Sequence, residues 1–398
     1  MSKKLVVTFY TSVFLLLIYS FISFSSPSTA GSVTDSSEPE NEVVVISEES
    51  KLKYEQVDSL MDYANRKMAF NGNVLININD EIEYKNKFGF ASFRPKDSLD
   101  INTSFNLASV SKQFTAMAVM ILAEEEKLNY DDSVHTIIPE FGFKNITVRH
   151  LLNHTSGLPN YMYYVEHYLP KDSIPYNDVM VKIMFEHDPK LNFNPGRKFS
   201  YCNTGYAVLA LIVEKISGKP FAQFVEEKIF QKLGMNDSFV YSSLEKDQYK
   251  EKTMGYFRWR NRYAINLETK NDGIVGDKGV YSTINDLRLW DKAIQQNLLI
   301  ADSTKQQAFQ RVLLSNGREW HYGFGFRIKE VEGKKVVYHF GRWNSFKTYL
   351  GRYIEDNSTI ILLNNTNRNI NWLVKKLEKI LIDKIPDQVV QKDSVIIK

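Results

Sequence analysis

One cysteine, Cys202, occurs in 398 residues. A single thiol permits no intramolecular disulfide, so the fold must rest on packing alone, which a chain of this length allows. No cysteine stands near the N-terminus, which excludes lipoprotein anchoring through a thiol. The formal net charge is only +3, and no basic run interleaved with aromatics occurs. Both facts argue against nucleic acid or an acidic polymer as a partner. His-Glu-x-x-His is absent. His150 and His154 stand at helical i, i+4 spacing, but no acidic or cysteine ligand accompanies them. No metal is therefore expected, and one of the two should cap or pack a helix end. No repeat at a solenoid period is visible.

Long apolar runs are confined to the N-terminus. Lys3 and Lys4 precede an apolar stretch from Leu5 to Phe24, followed by the small residues Ser28-Thr29-Ala30-Gly31. The stretch is near the ~20 residues that span a bilayer. Residues 1–30 are thus expected to be a signal peptide or a membrane anchor through residues 5–24. The protein is expected to be exported, periplasmic or otherwise extracytoplasmic, with membrane association at its N-terminus. Residues 31–52, rich in Ser, Glu, Asp and Thr, read as a flexible leader.

Residues 53–385 carry the globular pattern, and 386–398 read as a tail. Lys53 to Met68 predicts a helix and Gly72 to Lys87 paired strands. The stretch 125–270 is mostly helical in pattern, for example Thr204 to Ile216 and Phe221 to Leu233. Ile284 to Gln295 predicts another helix. Strands return around His321, then at Phe346 to Tyr353 and Thr359 to Leu363, with a hairpin turn at Glu355–Ser358. A helix at Asn371 to Ile382 closes the domain. A sheet drawn from both chain ends, with a helical insert, predicts an α/β architecture with a second lobe.

The chemistry concentrates at Ser109-Val110-Ser111-Lys112. From Val110 the apolar residues Phe114, Met117, Ala118, Ile121 and Leu122 follow helical spacing, so Ser109 falls in a first helical turn. Such a turn offers free backbone N–H groups and positive dipole character. Lys112, three residues on, shares the face of Ser109. A desolvated lysine can take the proton of a serine hydroxyl, which is the requirement of a Ser-Lys nucleophile. Ser-x-x-Lys recurs at Ser50–Lys53 and Ser243–Lys246, but only Ser109 heads a long apolar-periodic helix.

Two further motifs lie downstream. Pro195-Gly196 marks a turn before Tyr201-Cys202-Asn203. An extended segment there would point Tyr201 and Asn203 one way and Cys202 the other, leaving Cys202 a buried, inert thiol. A tyrosine among cations can carry protons, and an asparagine amide can hold a carbonyl. His339-Phe340-Gly341 ends the strand-like Lys335-Val336-Val337-Tyr338. The histidine can reach a substrate carbonyl or carboxylate, and the glycine lets backbone approach closely.

In this order, Ser109-x-x-Lys112, Tyr201-x-Asn203 and His339-x-Gly341 resemble the serine beta-lactamase and penicillin-binding-protein superfamily. The likeness is greatest to class C beta-lactamases and their esterase and D-aminopeptidase relatives. Leu151–Pro159, Asn203–Tyr206, Gly279–Thr283 and Asp286-Leu287 are similar too, and Tyr322–Phe326 looks like the strand before the third motif. The resemblance spans roughly Tyr54 to Leu381. Beta-lactamases usually carry Lys-Thr-Gly where this chain has His339-Phe340-Gly341. Relatives often place a second glycine where this chain has Ser345. No acidic deacylating residue on an Ω-loop can be placed.

The resemblance implies a two-lobed beta-lactamase/transpeptidase-like fold, an antiparallel sheet flanked by helices plus a mostly helical lobe, with the site between the lobes. It implies an exported serine hydrolase acting through an acyl-enzyme on an ester, amide or peptide, with no cofactor. Ser109, Lys112 and Tyr201 are the catalytic candidates. Asn203, His339, Gly341 and Arg342 are the substrate and oxyanion candidates, Arg342 through its backbone N–H. His339 either binds the substrate's polar end or supports Tyr201. The alternatives are a non-turnover cell-wall peptide binder of the same fold, a weak beta-lactamase or a D-alanyl peptidase. A neutral imidazole at His339 is a weak anchor for an anion, so small neutral acyl substrates are expected to turn over faster than lactams. Tyr161, Tyr163, Tyr164 and Tyr168 are expected in a packed aromatic loop that can rim the pocket.

Overall fold

The computed structural model describes residues 46–244, 252–260 and 262–383. The expected targeting segment, most of the leader and the tail 386–398 lie outside the described residues.

Six antiparallel strands form the main sheet, in the spatial order Arg327–Val331, Lys334–Trp343, Phe346–Tyr353, Ser358–Asn364, Gly72–Ile78, Ile82–Phe88. The N-terminal pair thus joins the C-terminal meander through Gly72–Ile78 beside Ser358–Asn364. Alternation along each strand divides the apolar residues between two cores. Leu75, Val337, Leu350, Ile361 and Leu363 belong to the larger core, on the face where helix Ile284–Gln295 packs on Gly72–Ile78 and Ser358–Asn364. Val74, Ile76, Val336, Ile360 and Leu362 face helices Glu48–Met68 and Asn371–Ile382 in the smaller one. Both sheet faces are covered, which is why Gly72–Ile78 is buried along its whole length.

Helix Glu48–Met68 begins five residues earlier than the expected Lys53. Ser47 caps it by accepting from the Ser50 N–H, and Glu48 and Glu49 sit in the first turn. The end of the expected leader is therefore helix, and Ser50 is a buried helical residue. The expected helix Phe221–Leu233 is interrupted by a π turn at Glu226–Phe230. Among the described residues of the 125–270 lobe the regular elements are helices, apart from the hairpin Tyr256–Trp259 with Arg262–Ile265 and the short strand Phe239–Val240. That strand joins Phe105–Asn106 and Val280–Ser282 in a small sheet that links the lobes. Tyr322–Phe326 is not a strand. Gly325 takes φ 81° and the Gly323 N–H bonds back to the Phe326 carbonyl, so the chain turns and strand structure begins at Arg327. The tyrosine run is likewise a helix, Tyr161–Tyr168, because the Asn160 side chain caps its first turn. Among the described residues no helix is long and apolar enough to cross a membrane.

Helix Ile284–Gln295 is fixed to the sheet by ions rather than by apolar contact alone. Asp291, 1% exposed, receives Arg352 Nη1 at 2.8 Å on both oxygens, Arg288 Nη1 at 2.8 Å and Thr359 Oγ1 at 2.7 Å. Arg288 also reaches Glu83 at 2.6 Å and Asp80 at 2.9 Å. Removing the shared counter-ion leaves the buried Arg352 guanidinium uncompensated, while Arg288 keeps Glu83 and Asp80. Asp291→Asn should therefore cost about 3–5 kcal/mol in urea unfolding. A loss below about 1 kcal/mol would show the cluster to be dispensable.

Candidate active site

Ser109 lies in a 3-10 turn, Ala108–Ser111, that runs into helix Lys112–Glu124. Ala108 takes φ 51°, a left-handed conformation that a non-glycine residue adopts only when its surroundings impose it. The Asn106 side chain accepts from the Ala108 N–H at 2.7 Å and the Val280 carbonyl from the Leu107 N–H at 2.8 Å, which holds the bend. Ser109 caps nothing, and its Oγ accepts from Lys112 Nζ at 3.3 Å. Lys112 is fully buried, donates to the Asp277 carbonyl at 2.6 Å and stands 5.0 Å from the Tyr201 ring centre.

Gly341 brings the third motif against this turn. A Cβ at residue 341 would lie 2.2 Å from the Leu107 carbonyl oxygen and 2.0 Å from Thr348 Oγ1. Only glycine lets strand Lys334–Trp343 pass so close to the segment carrying Ser109.

Tyr201 and Asn203 arrive differently from the expected strand. Asn203 is the first residue of helix Asn203–Ser217, and Tyr201 lies in the loop that enters it. Cys202 is extended at φ −137° and turns its thiol away to the Leu158 carbonyl, 3.4 Å off. Burial raises the Cys202 pKa, so the thiol stays neutral and unreactive. Tyr201 Oη and Asn203 Oδ1 are buried without a hydrogen-bond partner. Such orphaned atoms call for a ligand or water.

Two buried histidines flank Tyr201. His339 lies 6.0 Å from it, ring to ring, and His154 4.3 Å. His339 Nδ1 is 2.7 Å from the Phe340 carbonyl, which can only accept, so Nδ1 carries the proton. His339 Nε2 then accepts from the Tyr322 hydroxyl at 3.2 Å. His154 is the reverse tautomer, because its Nδ1 accepts from the Cys202 N–H at 3.2 Å. Burial first, then Arg327 and Lys112, hold His339 well below the ordinary histidine range. Burial and then Lys112 do the same for His154. The pair at i, i+4 is accounted for by structure: His150 forms a capping box with Thr147, and His154 packs beneath Tyr201.

The expected residues share one cleft of ≈ 550 Å³, where Ser109, Tyr201, Asn203, His339, Gly341 and Arg342 line the wall. Lys112 sits beneath Ser109. The tyrosines of helix Tyr161–Tyr168 are not on that wall. Tyr161 is buried against Asp277 and Lys278, and Tyr168 stacks on His187 at 3.6 Å. The expectation that they rim the pocket fails, because the capped helix buries Tyr161 and Tyr164 and leaves Tyr163 and Tyr168 exposed away from the cleft lining. Arg327, Lys347, His154 and Asp277 also belong to the site or its support, and the motif reading did not single them out. His154 was within reach, since it falls inside the Leu151–Pro159 segment.

Both buried histidines are neutral when folded and free to protonate when unfolded. Their folded pKa is depressed, so the unfolded chain binds more protons below its own value of about 6.5. Stability should be fully present above that pH and decline as pH falls through it, by up to about 2.7 kcal/mol per pH unit for two protons. Urea midpoints at pH 7.5, 6.5 and 5.5 test this, and a flat profile would refute it.

The Beta-lactamase family model matches residues 58–377. Penicillin-binding protein 4* of Bacillus subtilis (strain 168) is 35% identical over 343 residues, 83% of this chain and 76% of that protein. The D-aminopeptidase of Brucella anthropi is 24% identical over 317 residues, 78% of this chain and 59% of its own length. Among solved structures, the penicillin binding protein from Bacillus halodurans gives a TM-score of 0.71 at 26% identity, covering 81% of this chain and 98% of that one.

Proposed function

The chain belongs to the beta-lactamase family of serine hydrolases, and from that premise we propose that it cleaves an ester, amide or peptide through an acyl-enzyme on Ser109. The observation that carries the reading is the 3.3 Å approach of Lys112 Nζ to Ser109 Oγ, beside two orphaned polar atoms on Tyr201 and Asn203. In its neutral form Lys112 takes the Ser109 proton, and Oγ attacks the acyl carbonyl. The backbone N–H groups of Ser109 and Arg342 hold the developing oxyanion. Tyr201 delivers a proton to the leaving group as the carbonyl re-forms, and Asn203 positions the acyl carbonyl. Water then attacks the acyl-enzyme with Tyr201 as the base, and the Ser109 hydroxyl is regenerated. His339 orients Tyr322 instead of titrating, which favours its supporting role over anchoring a charged group. Likeness to a D-aminopeptidase supports D-amino-acid peptides among the acyl donors. Residues 1–30 fit export, and the mass of the mature chain reads out whether they are removed.

Ser109→Ala should abolish both turnover and labelling by a serine-directed phosphonate in intact-mass spectra. Label on Ser50, Ser111 or Ser243 would refute the assignment. A stable acyl-enzyme without turnover would mark a binder, and nitrocefin outpacing simple esters and D-amino-acid peptides would mark a beta-lactamase.

Lys112→Arg should lower kcat/KM by about 10²–10⁴-fold, because a guanidinium cannot act as a base near neutral pH. A melting curve run alongside separates lost chemistry from lost fold. Near-normal rates would make Lys112 purely structural.

A further inference from the structure

The hairpin of strands Tyr256–Trp259 and Arg262–Ile265 presents an apolar face to solvent. Its register opposes Phe257 to Ala264 and Trp259 to Arg262, so these four side chains share one face. All four are exposed, Trp259 at 66% and Phe257 at 47%. The other face is the packed one. There the Tyr263 ring stacks on Phe93 at 3.7 Å, and Tyr256 is buried against the same ring. A sheet with one face on the core ordinarily turns polar residues outward. This hairpin turns tryptophan and phenylalanine outward instead.

The charge around that face is of one sign. Residues 253–267 include three arginines and no Asp or Glu. Arg262 stands on the apolar face, and Arg260 follows Trp259 at the strand's end. Arg262 also lines a second cleft, of ≈ 420 Å³, with Arg94 and Lys96 from the neighbouring hairpin of Phe90–Phe93 and Lys96–Ser98. No acid lines that cleft, and Asp97, next to Lys96, lies opposite Ser92 and off the lining. None of Arg94, Lys96, Arg260 and Arg262 is in an ion pair among the described residues. Elsewhere even well-exposed cations are paired, as Arg66 with Asp62 and Lys190 with Asp188.

This surface is separate from the catalytic cleft but tied to its rim. The Arg258 N–H donates to Asn367 Oδ1 at 2.9 Å, and Asn367 Nδ2 donates back to the Arg258 carbonyl at 3.4 Å. Asn367 lines the cleft of Ser109, which shares no residue with the cleft of Arg94 and Lys96.

We infer that the hairpin face docks on the surface of an anionic phospholipid bilayer. Trp259 and Phe257 enter the headgroup region, and the four cations meet lipid phosphates. The combination of exposed tryptophan with unpaired cations selects this occupant. A bilayer surface offers an apolar boundary and a negative potential together. A second copy does not, because a two-fold contact would set the same arginines against one another. Residues 5–24, expected as a membrane anchor, would hold the domain beside such a surface, and the hairpin is a further contact made by the folded domain. Through Asn367, docking fixes how the catalytic cleft is presented to the membrane. The hydrolase reading does not depend on it.

The test uses the full chain reconstituted in vesicles, so that the N-terminal segment is present in every sample. Tryptophan emission is compared in phosphatidylcholine brominated near the headgroup end of its chains, with and without about 30% phosphatidylglycerol. Trp259 is one of five tryptophans. Its entry among the brominated lipids should remove about a fifth more emission in the anionic vesicles, with the difference shrinking in ~0.5 M salt. Trp259→Phe should abolish the difference, because it keeps the apolar contact and loses the emission. Arg260→Gln with Arg262→Gln should reduce it by about half or more. Trp320→Phe, at another exposed tryptophan, should keep it. Equal emission in the two vesicles, or a difference that survives Trp259→Phe, would overturn the docking and leave the hydrolase standing. Equal emission together with dimers in detergent that Trp259→Asp dissociates would give the face to a second copy. A lowered melting temperature in Trp259→Phe would give the ring a structural role instead.

Discussion

The bond from Lys112 Nζ to the Asp277 carbonyl, at 2.6 Å, is the contact on which the site depends. A fully buried lysine has few acceptors, and this one crosses from the helix that follows Ser109 to a segment 165 residues away. The carbonyl is held in turn by the Asp277 side chain. Its carboxylate accepts from the Tyr161 hydroxyl at 3.2 Å and from Lys278 Nζ at 3.2 Å, and Lys278 also donates to Tyr161 at 2.8 Å. Tyr161 belongs to the helical lobe. The position of Nζ beside Ser109 therefore depends on a buried polar network that joins the two lobes, each member of which is satisfied.

Burial is the first cause of the neutrality of the surrounding rings, and the charges beside them come second. A lysine and Arg327 placed beside His154 and His339 oppose any further positive charge there, and burial acts in the same direction. Neutral imidazoles with fixed tautomers become hydrogen-bonding struts. One orients the Cys202 backbone that leads into Asn203, and the other accepts from Tyr322. Of the polar atoms left without a partner, Tyr201 Oη and Asn203 Oδ1 belong to residues that line the cleft, while His154 Nε2 lies buried behind them.

Much of this was legible in the sequence because it is local. Apolar spacing after Val110 gave the helix that follows Ser109, and alternation gave the strands around Gly72 and Phe346. The ordered motifs named seven residues that the fold gathers at one cleft. What was not legible depends on short caps or distant partners. Ser47 before Glu48-Glu49 is a helix start hidden in leader-like composition. Asn160 does the same for the tyrosine run. Asp277 matters through its carbonyl, which no residue pattern encodes, and Arg327 through its place at the end of the Tyr322–Phe326 turn. Lys347 could have been found from the hairpin, had Asn344-Ser345 been read as its turn.

That turn carries more of the design than its two residues suggest. Ser345 holds a left-handed conformation where relatives often have glycine, at a cost of about 1–2 kcal/mol. The helical lobe offsets it. Asn266 donates to Ser345 Oγ at 3.0 Å, and Asp272 accepts from Trp343 Nε1 at 2.5 Å and Asn344 Nδ2 at 3.1 Å. Slipping the hairpin by one residue would exchange the faces of strand Lys334–Trp343. Gly341 would leave the Leu107 carbonyl, a bulky side chain would meet the turn that carries Ser109, and Arg342 would part from Lys347. One clamped turn thus fixes both the close approach of Gly341 to the segment carrying Ser109 and the opposition of Arg342 to Lys347 beyond it.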